Sequence, residues 1–499
     1  MKIFQKFLLV VVIALVATSC KKIVEGFDED PNRFTSASSS LILNSAQVSS
    51  ILINEGNIAR FGGVWSQSFT GIDRQYVSTN NYNTTSGDYD SEWDNLFQGV
   101  ITQYRLTEDA AATVNNRLLL GIAQVGRAQH QGLAADLWGD VPFDEVGRDQ
   151  DFPTPKFEPQ IDVYTKVQTL LDSAIANLES ETGASPGTKD IFYQGDADSW
   201  IAAAYTLKAR FYLHTKEYEN ALTAAASGIA SPSGSMYAPH GSTYLADFNV
   251  WYSFLTYDRP GYMNADGAFS VDLLDATSAI YRGNSKTNET ARFIFLYFDN
   301  NNPPDFYPGI NNTGGIDPNV LSDFDWGNDP SENGFFAANE RFPIVTYQEN
   351  LLIIAEANIK QLTPNLNAAL DALNTFRQYL GDESSTYIRP GYLSLGFEYE
   401  DYSLADFAAG GIANPGSLSA QDALLKEIIE ERYITFIGQT EQFNDVRRTK
   451  NLLGITPVTG TKLPQRFLYP QSEINTNPNT PKLSAGDLFT ETAVNATPY

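Results

Sequence analysis

YTLKARFYLHTKEYENALTAA, residues 205–225, is the stretch whose reading decides the fold. Tyr205, Ala209 and Tyr212 fall at i, i+4 and i+7, one face of a helix. Thr215-Lys216-Glu217 reads as a turn, and Tyr218, Ala221 and Ala225 repeat the helical spacing beyond it. Small residues on the facing sides let two helices approach closely, and aromatic rings fill the groove between them.

Small and aromatic residues at this spacing are those of a tetratricopeptide helix-turn-helix. A looser copy follows at Leu351, Ile354, Ala355 and Asn358, with Ala368, Ala369 and Leu373 on its second helix. Hairpins of this kind cannot bury both faces alone, so they stack. The expected fold is mostly α, a right-handed stack of tetratricopeptide-like helix pairs. Other helices are predicted from about Ser38–Ser40 to Gly62-Gly63, along the stripe Trp93, Leu96, Phe97, Val100 and Tyr104, over 115–137, along the stripe from Tyr164 to Leu178, after a cap at Asp198, and after a cap at Ser419.

Two insertions interrupt the helices, at about 231–342 and 381–415. The first is far denser in aromatics than the chain's 12% and is otherwise filled with Asn, Gly, Pro and Asp. Only residues 292–298 read as a strand, apolar on both faces. Long irregular insertions in a compact protein are usually functional. The division that follows is a signal segment at 1–19, a tether at 20–37 and one helical domain over 38–499.

Sixty acidic against 33 basic residues give a net charge of −27, which repels a phosphate backbone and excludes nucleic acid as a partner. At the start, Lys2 and Lys6 precede an apolar run too short to span a membrane. It closes on Thr18-Ser19-Cys20, the only cysteine. Small residues before a cysteine resemble a bacterial lipobox, in which the cysteine becomes an acylated N-terminus and two or more chains give lasting attachment.

Evidence for catalysis is thin. His130, His214 and His240 are scattered, with no HExxH and no CxxC. Gly183-Ala184-Ser185-Pro186-Gly187 fits a nucleophile elbow by letter only, because it follows a helix and a proline sits where the next helix must start. Accidental carboxylate pairs in so acidic a chain decide nothing about glycoside hydrolysis. Asp323, Asp325 and Asp329 could ligate calcium, but the spacing is not that of an EF-hand, and a solvated acidic turn is the better reading. No other cofactor is expected.

Four motifs carry a resemblance. They are ADLWGDVPF at 135–143, RFPIVTYQE at 341–349 running on to Ala355-Glu356-Ala357, EIIEER at 427–432 with FNDVRRT at 443–449, and LYPQSEI at 468–474. With the lipobox, they resemble the SusD/RagB family of outer-membrane lipoproteins over nearly the whole mature chain. The resemblance implies four tetratricopeptide units with a loop-rich ligand face, no catalytic activity, glycan capture at the cell surface, and a role as lid on a SusC-like TonB-dependent transporter. The acidic export signal frequent in that family is displaced here by Lys21-Lys22-Ile23-Val24. Within the motifs, Glu430, Glu431, Arg432, Asp445, Arg447 and Arg448 read as a buried ion-pair network joining the last long helix to the tail.

A sugar ring presents C–H faces that stack on Tyr or Trp, and hydroxyls that bond Asn, Asp and Arg at the edge. The first insertion supplies both at Trp251, Tyr252, Tyr257, Asp258, Arg259, Asn264, Tyr281 and Trp326, and an earlier loop adds Asp73, Arg74 and Tyr82. For any one of these rings, core packing is the competing explanation. A neutral polysaccharide, such as a β-glucan, fits the acidic chain better than a sulfated or uronic polymer. The alternatives are a lipid-anchored glycoside hydrolase and a peptide-binding protein of the same fold.

Overall fold

The computed structural model describes residues 38–244, 246–300, 315–322, 330–382, 387–393 and 398–499. Cys20, the signal segment and tether, Trp326 and the three aspartates at 323, 325 and 329 lie outside them.

The first predicted helix is two. Helix α1 (Ser39–Glu55) breaks at Gly56, and α2 (Asn57–Trp65) runs through Gly62-Gly63 instead of ending there. A Cβ at Gly56 would lie 2.1 Å from the Leu52 carbonyl oxygen, and one at Gly63 would lie 2.6 Å from the Phe69 ring. The first glycine makes the kink, while the second admits a ring against a continuing helix. Next come α3 (Gln75–Asn80), a helical run with a π-helical stretch (Asn95–Ile101), and α4 (Thr102–Thr113). The stripe Trp93, Leu96, Phe97, Val100 and Tyr104 on this run is buried, as its period requires.

Helices α5 (Arg117–Trp138) and α6 (Gln160–Leu178) form one hairpin, α7 (Ala197–His214) and α8 (Tyr218–Ala225) the second, and α9 (Tyr347–Lys360) and α10 (Leu366–Gly381) a third. Each packs on its neighbour: α4 on α5, α6 on α7, and α8 on α9, with α11 (Ala420–Thr435) closing on α9 and α12 (Thr440–Arg448) following. Helix α8 meets α9 although the whole first insertion separates them in sequence. The stack is therefore continuous in space and interrupted only along the chain. The cap of α7 is Asp196, which accepts from the Ser199 amide at 3.0 Å, and not Asp198, which sits in the first turn. Ser419 caps α11 as expected.

Among the described residues eight short strands make four antiparallel pairs: β1 (Thr70–Gly71) with β3 (Met263–Asn264), β2 (Met236–Ala238) with β7 (Phe342–Val345), β4 (Thr287–Asn288) with β8 (Glu398–Tyr399), and β5 (Tyr297–Asp299) with β6 (Ile316–Pro318). The strand expected at 292–298 is mainly a helix, Thr290–Leu296, preceded by Asn288, whose Oδ1 accepts from the Thr290 amide at 3.0 Å. A short helix buried on both sides shows the same two-sided apolar pattern as a buried strand.

The helices are joined by a buried charge seam. Arg432 Nε donates to Asp445 at 2.8 Å and Arg448 Nε to the same carboxylate at 2.7 Å, and Arg448 also reaches Glu356 on α9. Glu431 receives Arg282 at 2.7 Å and Arg292 at 2.9 Å from the first insertion. The network is as buried as the sequence suggests, but it reaches further: it ties α11 to α9 and to the insertion. Arg447 departs from it, donating instead to the backbone oxygens of Asp136 (2.8 Å) and Gln465 (3.0 Å). The first and fourth motifs also meet, since Trp138 Nε1 donates to the Leu468 carbonyl at 2.9 Å and the Phe467 amide to that of Leu137 at 2.8 Å.

Candidate ligand-binding face

The pairing of β1 with β3 decides where the face lies. It places the loop after Gly71 against the loop before Met263, and the amides of Ile72 and Asp73 both donate to the Tyr262 carbonyl. Asp73 and Arg74 thus stand beside Tyr257, Asp258, Arg259 and Tyr262, nearly two hundred residues later in the chain. Arg74 holds φ at +47°, a left-handed conformation unusual for a side-chain-bearing residue.

Tyr262 is half-buried between two guanidinium groups, Arg74 at 5.6 Å and Arg259 at 5.8 Å from its ring centre. Each cation is attracted to the negative face of the tyrosine ring, which holds the ring's orientation. Beside it Tyr257 stacks on Phe248, with centres 6.0 Å apart and planes 17° from parallel. Tyr244 meets Tyr257 edge-on at 5.3 Å and is 60% exposed. Tyr244 is absent from the sequence-predicted set. Its neighbour Thr243 is pinned by Asp247, which accepts from the Thr243 amide at 2.7 Å, and a tyrosine inside such a turn is the signal that points to it.

The polar rim is exposed and only lightly held: Arg259 Nη1 donates to the neighbouring Asp258 carbonyl at 2.7 Å. Arg74 and Asp73 face each other at 3.6 Å with most of both side chains in solvent, an arrangement that contributes little to stability. Asp258 and Arg259 are exposed, and neither forms an ion pair among the described residues. Rings with accessible edges and faces, bordered by two arginines and two aspartates, suit a ligand with both apolar faces and hydroxyl groups.

Other predicted residues sit elsewhere. Trp251 and Tyr252 are fully buried: Trp251 packs on Phe69 at 4.8 Å and Phe336 at 5.4 Å, and Tyr252 on Phe248 at 5.2 Å. Burial removes their rings from any sugar, and they support the ledge that carries Tyr257. Asn264 is buried within β3, bonded through its side chain to Asp266. Tyr82 is also buried, its hydroxyl accepting from the Val458 amide at 3.0 Å. Tyr281 is half-buried, with its hydroxyl accepting from the Glu289 amide next to the charge seam.

Two hollows open among the described residues. A larger one, about 540 Å³, is walled by Lys450, Lys462, Glu491 and Phe489 and offers no tyrosine or tryptophan face. The other, about 480 Å³, lies behind α3 and is lined by Asn57, Gln75, Tyr76, Asn83 and Glu92 among others. The cluster Asp136, His214 and Glu441 is a buried charge group: His214 bridges Asp136 at 2.8 Å and Glu441 at 3.0 Å. Burial alone would lower the His214 pKa, but the two carboxylates outweigh it and hold it up at about 9.

Residues 31–470 match the family model of SusD-like proteins described as starch-binding and associating with the outer membrane. The chain belongs to this SusD-like family. Solved structures agree on the fold. A SusD/RagB family protein from Bacteroides thetaiotaomicron is 21% identical, with TM-score 0.64 over 93% of this chain and 100% of that one. A chitin-binding SusD homolog from Flavobacterium johnsoniae is 14% identical, with TM-score 0.61 over 88% of this chain and 92% of that one. A comparison with curated protein sequences finds no match. As a SusD-like protein the chain is of a glycan-binding, outer-membrane-associated kind, and no helix among its described residues is long and apolar enough to cross a membrane.

Proposed function

We propose that this SusD-like protein is a lipid-anchored glycan receptor. It captures a neutral oligo- or polysaccharide on the face formed by Tyr244, Tyr257 and Tyr262 and passes it to a SusC-like TonB-dependent transporter. The observation that carries this reading is the meeting of solvent-facing tyrosines with an exposed, lightly held rim of Asp73, Arg74, Asp258 and Arg259 across the β1–β3 pairing. Binding alters no covalent bond. Rings stack on sugar faces and the rim takes hydroxyls. Acylation at Cys20 supplies the anchor and leaves the face toward the cell exterior.

Affinity electrophoresis of the purified protein in gels containing soluble starch, glycol chitin, β-glucan or polygalacturonate tests the reading. A neutral polymer is expected to retard it, with no shortening of the polymer after incubation. Absence of retardation by every polymer sinks glycan capture, and release of shorter products favours a hydrolase.

A further inference from the structure

The hollow behind α3 has a wall with a fixed hydrogen-bond direction. Arg60 Nε donates to the Tyr76 hydroxyl at 3.0 Å, that hydroxyl donates to Asn57 Oδ1 at 2.8 Å, and Asn57 Nδ2 donates to Glu92 Oε1 at 2.9 Å. Each group has its role settled by the one before it, starting from a cation and ending on a carboxylate. The Glu92 carboxylate takes no other hydrogen bond among the described residues, so its second oxygen remains free to accept.

The side chains of Gln75, Ser78, Asn83 and Ser91 also line the hollow and make no hydrogen bond to the described protein. Phe61 and Tyr76 supply buried apolar surface. No lysine or arginine lines the space, whereas Asp88 and Glu92 do. Such a lining repels an anion and offers alternating amide and hydroxyl groups to a neutral one. The volume, about 480 Å³, is within the range of small-ligand sites. Tyr76 is common to both places: it lines the hollow, and its ring meets Tyr262 of the exposed face edge-on at 6.4 Å.

We propose that this hollow is a second sugar subsite, which takes one uncharged sugar unit of the captured glycan through Gln75, Asn83, Ser91 and Glu92 and excludes uronate units. The proposal rests on the glycan-capture reading and names its ligand class. Burial lifts the Glu92 carboxyl above its usual value, against the Asn57 hydrogen bond and the Arg60 charge.

The test is an amide-shift NMR titration of the purified protein with glucose, N-acetylglucosamine and glucuronate, run beside the gel assay. At least one neutral sugar is expected to shift Ser78, Asn83, Thr85 and Ser91, and glucuronate to bind at least tenfold more weakly. Ser91→Trp, which fills the mouth, should abolish these shifts. Asn83→Ala, at an exposed side chain without protein hydrogen bonds, should weaken them several-fold with the fold unchanged. Glu92→Gln should narrow the gap between neutral sugar and uronate. The proposal is overturned if neither neutral sugar shifts these amides, if the shifts survive Ser91→Trp, or if glucuronate binds equally well. Shifts without polysaccharide retardation would retain the subsite and reject capture on the tyrosine face. Retardation without shifts would do the reverse.

Discussion

The charge seam and the tyrosine face are made of the same residue types and behave oppositely. In the seam Arg282, Arg292, Arg432 and Arg448 are buried, and each is met by one or more carboxylates at hydrogen-bond distance. On the face Arg74 and Arg259 lie in solvent over a tyrosine ring, Arg74 in a loose, exposed pair with Asp73 and Arg259 bonded only to the backbone of Asp258. A buried charge must be matched within the protein, because water cannot reach it. An exposed one keeps its hydrogen-bonding capacity for whatever arrives. The motif residues conspicuous in the sequence therefore hold the scaffold, and the residues fitted for ligand are ordinary in sequence and distinguished by being left in solvent, held only by weak local contacts.

Cutting the seam is the most damaging way to probe this contrast. Glu431→Ala leaves Arg282 and Arg292 short of a partner and should cost about 3–5 kcal/mol in urea unfolding. Trp251→Ala should cost a similar ~3–5 kcal/mol through the cavity it leaves, while Trp251→Phe, if folded, should retain glycan retardation. If Trp251→Phe abolished retardation at unchanged stability, Trp251 would belong to the face after all. On the face itself, Tyr257→Ala combined with Tyr262→Ala should weaken glycan binding about tenfold or more, ~1.4 kcal/mol, and change unfolding by only ~0.5 kcal/mol per site. A large loss of stability there would erase the distinction between the regions.

His214 provides a milder probe, by pH. Its folded pKa, about 9, lies above its value in an unfolded chain, so the folded state holds the extra proton. Its contribution is complete below the unfolded value and disappears as pH rises through about 9. Urea midpoints should fall from neutral pH toward pH 9 and above, and His214→Gln should flatten that part of the curve. The smallest effect is expected for Asp73→Asn, within about 0.5 kcal/mol of wild-type stability.

Helix pairs were legible because their period is local: Tyr205, Ala209 and Tyr212 declare a face without reference to the rest of the chain. The insertion was legible as a cluster and not in its members. Trp251 and Tyr257 belong to one short stretch with the same chemistry, yet one is core and the other surface. Trp251 is core because Phe69 and Phe336, both far away in sequence, pack on it, and no local pattern encodes that. Gly62-Gly63 misled for a related reason, since a glycine that ends a helix and one that admits Phe69 look alike until the neighbour is known. Tyr244 gave only a turn composition.

The hydrogen bond from Trp138 to Leu468 has a consequence in time. It closes a loop of 330 residues, and the neighbouring Phe467–Leu137 bond closes one of similar span. Contacts so distant in sequence form late, after local hairpins. During synthesis the helix ending at Trp138 must wait for nearly all of the chain before its end is fastened. Until then the nascent protein is a string of loosely held hairpins, pliable and open to proteases, and its last tenth acts as the latch that sets the whole stack.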